Sequence, residues 1–105
     1  IMNENYFNKV AIVHERLDRR TLLEGLAEEA VELSQAALKS IRAEKMNHNV
    51  TPLDVVKAEK QLLEEIADVR CYLDVLGLTQ NNLINVLAEI KMHRWIERLE
   101  SDEKC

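Results

Sequence analysis

Leu26-Ala27-Glu28-Glu29-Ala30-Val31-Glu32-Leu33 and Leu62-Leu63-Glu64-Glu65-Ile66-Ala67-Asp68-Val69 decide how this chain is read. Both stretches repeat apolar residues at helical spacing. Both also carry an acidic pair inside that pattern, Glu29-x-x-Glu32 and Glu65-x-x-Asp68. Residues three apart on a helix are neighbours, with Cβ atoms roughly 5–6 Å apart, so each pair can grip one cation from one side. Two such pairs facing each other place four carboxylates around a common point. Carboxylates that close repel and raise one another's pKa unless a cation lies between them. Hard oxygen donors of this kind suit Mg²⁺ or Mn²⁺.

Working outward, four helices are expected. The first spans about Asn5 to Arg19, with Tyr6, Phe7, Val10, Val13 and Leu17 on one side. The second opens at a capping box, Thr21-x-x-Glu24, and runs to about Glu44. After a loop over Lys45–Val50, the third has Thr51 as N-cap, Pro52 at its first position and Asp54 in its first turn. It runs to Leu76 and stops at Gly77. Thr79 then caps a fourth helix through about Glu100. This describes one all-α domain over residues 2–100 with a fraying tail at 101–105; Ile1, ahead of Met2, is left out of the fold. The second and third helices, each roughly 36 Å long at 1.5 Å per residue, are too long for two shorter flanking helices to cover. A long antiparallel pair completed into a four-helix bundle by a second copy is the expected architecture.

Composition agrees. The 105 residues include only two glycines and one proline, with 47% hydrophobic residues. That favours long helices over sandwiches, barrels or glycine-rich phosphate loops. A net charge of −5 disfavours a nucleic-acid partner, and 4% aromatics leave no platform for stacking bases. Two cysteines, Cys71 and Cys105, make no disulfide framework and no zinc spacing. With no long apolar run or leader-like segment, a cytoplasmic setting without membrane contact is expected.

On a helical wheel the core face of the second helix centres on Leu26, Ala30, Leu33 and Ala37. Glu29 and Glu32 fall on its flank, in a stripe with Gly25 and Ala36, while Glu28 lies opposite. On the third helix Glu65 and Asp68 share a stripe with Gln61 and Tyr72, and Glu64 points away. The spacing also occurs at Glu97-x-x-Glu100, where it reads as a solvated face, so placement beside small residues and an apolar seam is what singles out the four acids. The fourth helix adds a basic stripe, Lys91, Arg94 and Arg98, suited to phosphate oxygens. Tyr72 serves either helix packing or substrate contact. Trp95 is expected in the core or a dimer seam, Cys71 in the core, and His14 and His48 in structural or exposed positions.

Glu28-Glu29-x-x-Glu32, then Glu65-x-x-Asp68, then a Lys/Arg helix resembles the all-α nucleotide pyrophosphohydrolases of the MazG type, over roughly Leu22 to Arg98. The interval Leu33–Glu64 is longer than that family's usual spacing. The resemblance implies that Glu29, Glu32, Glu65 and Asp68 bind Mg²⁺ and act in catalysis, and that Lys91 and Arg94 hold phosphates, with Tyr72 beside the substrate. It implies cleavage of a nucleoside triphosphate to monophosphate and pyrophosphate by a homodimer or dimer of dimers. The run Tyr72-Leu73-x-Val75-Leu76-Gly77-Leu78 is similar to phosphoribosyl-ATP pyrophosphohydrolase, a relative with the same cleavage. A non-catalytic helical dimerisation module is the alternative from another class. A di-iron bundle is excluded, because its Glu-x-x-His motifs are absent.

Overall fold

Asp18 starts the longest helix. Its backbone is extended (φ −79°, ψ 165°) and its carboxylate accepts from the Thr21 amide at 2.9 Å. The cap therefore lies three residues before the expected Thr21. Glu24, instead of closing a capping box, pairs with Arg20 one turn back at 3.0 Å. The extended residue at Asp18 also ends the first helix early. The computed structural model describes residues 4–46, 48 and 53–104, and among them the chain is four helices with no strand. They are α1 (Glu4–Arg16), α2 (Arg19–Ala43), α3 (Val55–Val75) and α4 (Asn82–Lys104).

The remaining starts follow the same chemistry. Asp54 is the N-cap of α3 rather than a first-turn residue, accepting from Val56 N at 2.9 Å and Lys57 N at 3.4 Å. The expected Thr51 and Pro52 lie outside the described residues. Asn81, not Thr79, caps α4 through Leu83 N at 2.9 Å and Ile84 N at 3.2 Å. Thr79 is drawn off to Asp74 Oδ1 at 2.6 Å. The fourth helix continues past Glu100 to Lys104.

Two helix ends close alike. Gly77 is left-handed (φ 72°), with Leu78 N bonded to Leu73 O and Gly77 N to Asp74 O, the paired bonds of a Schellman stop. At the end of α2, Met46 N bonds Ile41 O and Lys45 N bonds Arg42 O, with Lys45 at φ 60°. A side chain there costs about 1–2 kcal/mol. Glycine removes that strain but adds unfolded-state entropy of about 0.4–1 kcal/mol. Lys45→Gly is therefore expected to raise stability by about 1 kcal/mol, read as a higher urea midpoint at unchanged slope.

The helices α2 and α3 pack antiparallel: Gly25 lies against Tyr72, and Glu29 is level with Glu65 and Asp68. The seam buries Leu22, Gly25, Ala36 and Ala43 from α2 and Ala58 and Val75 from α3. Leu26, Leu33, Leu62, Val69, Leu73 and Leu76 are half-buried. The packed face is thus rotated from the expected one. Ala30 and Ala37 are exposed, and the stripe that holds the acids is itself the seam.

The first helix docks on the far end of α3. Tyr6 OH donates to Asp74, whose side chain is 5% exposed, and lies 3.9 Å from Cys71 Sγ. His14 Nδ1 donates to the Val75 carbonyl at 2.8 Å. The Asp74 hydrogen bond pushes the Tyr6 hydroxyl pKa further above its ordinary value. Cys71 is exposed rather than a core residue. The fourth helix packs on no other described helix. Residues 81–102 are all exposed, Trp95 among them, so Trp95 is not in a core of this chain. No described helix is long and apolar enough to cross a membrane.

Candidate metal-binding site

A long helix pair with small residues at its interface lets two backbones approach, and this seam uses that space for carboxylates. Gly25 is one turn before Glu29, and Ala36 one turn after Glu32. A Cβ on Gly25 would meet the ring of Tyr72, which sits one turn beyond Asp68. The tyrosine therefore closes one end of the acidic stretch while packing across the glycine.

Glu29, Glu65 and Asp68 each offer a carboxylate oxygen, all within 4.8 Å of one another. Glu29 and Glu65 are half-buried and Asp68 lies at the rim. Glu32 is exposed and outside that converging trio, yet its charge is felt by both Glu29 and Glu65. The structure thus draws three of the four expected acids together and sets the fourth beside them. Glu28 and Glu64 are exposed. Lys91 and Arg94 are exposed on α4 and ion-pair with none of these acids. Glu97 pairs with His93 at 2.9 Å instead of with the basic stripe.

The electrostatics follow from this crowding. Burial, then the charges of Glu32 and Asp68, push the Glu29 carboxyl up to about 7. The same causes raise Glu65. One oxygen of each, Glu29 Oε2 and Glu65 Oε2, is shielded from water and has no hydrogen-bond partner. Such orphaned acceptors are costly, and a cation is the partner that would satisfy both at once. The donor set is all hard carboxylate oxygen, which fits Mg²⁺ or Mn²⁺ and not a soft-ligand metal. No family model, curated protein or solved structure matches the chain.

The raised Glu29 pKa sets a sign for stability. Between the unfolded value, 4.5, and about 7, the native state holds a proton that the unfolded state has lost. Stability from this group is therefore present at acid pH and is lost as pH rises through that window. In EDTA the melting temperature is expected to fall between about pH 5 and about pH 7.5, and Glu29→Gln to flatten that fall, as read by thermal melts of parent and variant side by side.

Sequence reasoning missed the Tyr6–Asp74–Thr79 cluster, because partners 68 residues apart leave no local signal. Gly25 was legible: a glycine in a helix interior, one of two in the chain, marks a close approach.

Proposed function

We propose that this chain is a divalent-cation-dependent nucleotide pyrophosphohydrolase of the MazG type, working as a homodimer. The observation that carries the reading is the pair of orphaned, shielded oxygens of Glu29 and Glu65, facing each other with Asp68 inside one helix seam. Glu29, Glu65 and Asp68 would hold the ion. When bound, Mg²⁺ or Mn²⁺ supplies positive charge that offsets both the carboxylates and the substrate phosphates.

The side chains then divide the remaining work. Glu32, outside the trio and open to solvent, takes the proton of the attacking water. The water oxygen bonds the α-phosphorus, and the α–β bridging oxygen leaves with pyrophosphate. Lys91 and Arg94 supply positive charge to that leaving group. Tyr72 closes the Gly25 end of the seam and orients what binds beside it.

A screen of the common ribo- and deoxyribonucleoside triphosphates and phosphoribosyl-ATP, with Mg²⁺, Mn²⁺ or EDTA, tests the reading. Metal-dependent release of pyrophosphate, not orthophosphate, is expected. Melting should also shift with metal, since a ligand at a hundred times its Kd stabilises by about 2.7 kcal/mol. A flat screen together with no metal-dependent shift would leave the chain as a helical association module.

A further inference from the structure

The fourth helix is out of balance with the rest of the molecule. Ile84, Ala88, Met92, Trp95 and Leu99 recur at i, i+4, i+8, i+11 and i+15, one continuous apolar face, and all are exposed. Lys91, Arg94 and Arg98 border that face and, with Ala88, Met92 and Trp95, line an open groove along it. Helix α2 has an equally open stripe, Leu23, Ala30, Ala37 and Ile41, one face round from the acidic seam.

The surface area states how much is left uncovered. The chain exposes 8848 Å², whereas a compact monomer of 12.2 kDa exposes about 6,000 Å². The excess of roughly 2,800 Å² is the scale one protomer contributes to an obligate dimer interface. The radius of gyration, 17.7 Å, likewise exceeds the about 13 Å of a compact chain this long.

Charge points the same way. The acids of the α2–α3 seam have no ion-pairing cation among the described residues, and Lys91, Arg94 and Arg98 have no ion-pairing acid. These basic residues do not reach the acids of their own chain. Lys91 lies nine residues into α4, roughly 14 Å along its axis, and α4 leaves the turn after Val75 without folding back on α3.

We propose that α4 packs by its Ile84–Leu99 face on a second copy of this chain, delivering Lys91 and Arg94 of one protomer to the Glu29/Glu32/Glu65/Asp68 cluster of its partner. Each polyphosphate site is then shared, with its cation grip from one chain and its phosphate clamp from the other. The phosphate role rests on the pyrophosphohydrolase reading; the placement of α4 does not.

Cross-linking decides the placement without any activity. In a chain with Cys71→Ala and Cys105→Ser, Glu32→Cys and Arg94→Cys are made as separate single variants, mixed, and treated with a short bis-maleimide. A covalent heterodimer is expected. A double variant that links only within one chain overturns the proposal, as does no link in either format. Should those variants fail to fold, Asp68→Cys with Lys91→Cys asks the same question. Activity gives an independent arm. Glu65→Gln mixed with the Lys91→Ala/Arg94→Ala chain should regain about a quarter of parental turnover, because half the sites in half the dimers are intact. Two inactive homomers with no recovery on mixing would place both halves of the site in one chain. If no nucleotide is cleaved even by the parent, the enzymatic reading fails while the cross-link still reports on α4.

Discussion

Glu65→Gln is expected to cut metal-dependent pyrophosphate release at least ~100-fold on the best substrate, the scale of losing one preorganised electrostatic contact. The substitution keeps the shape of the side chain and removes a charge from the centre of the acidic trio. Glu65 is half-buried in the seam, with one oxygen shielded and unpartnered, so the neutral amide there cannot serve a cation as the carboxylate would. The fold should not suffer. In metal-free protein the substitution relieves repulsion from Glu32 and Asp68, two of the causes that raise the Glu65 pKa. Lower turnover with an equal or higher metal-free melting temperature is the expected pair of results. Full activity would remove Glu65 from the site.

The second large effect is a change of sign. Gly25→Ala gains about 1 kcal/mol from helix propensity. It also drives a Cβ into the Tyr72 ring, and overpacking of that kind costs about 1–3 kcal/mol. The net in the parent is a loss of about 1 kcal/mol. In a Tyr72→Ala background the obstruction is gone, and the same Gly25→Ala should stabilise by about 1 kcal/mol. A coupling of about 2 kcal/mol is expected from the four urea curves of the double-mutant cycle. Additive effects would mean that Tyr72 does not rest on Gly25.

Much of the secondary structure was legible in the residues themselves. Scarce glycine and proline, two long apolar-periodic runs and Gly77 after α3 are local facts, and helices answer to local facts. The start sites were less so. Asp18 and Thr21 are both good caps three residues apart, and Asp18 won by accepting from the Thr21 amide itself. Asn81 displaced Thr79 because Asp74, an acid on another helix, holds the threonine hydroxyl.

The facing of the helices was legible only in part. A wheel averages every apolar residue into one direction, but α2 has two apolar stripes. One, through Leu22, Gly25 and Ala36, meets α3; the other, through Leu23, Ala30 and Ala37, stays open. Their average falls between them, and the acids seemed to lie on a flank when they lie in the seam.

By itself, then, the sequence determined that the chain is helical, that two helices are long, and that each carries an acidic pair at one-turn spacing, since hydrogen bonding and periodicity act within a few residues. Only the tertiary structure decided that Glu29, Glu65 and Asp68 converge while Glu32 stands beside them, that Tyr72 lies on Gly25, and that α4 packs on no other described helix. Those outcomes depend on which faces two helices turn toward each other, a choice made by close contact between residues far apart in the chain.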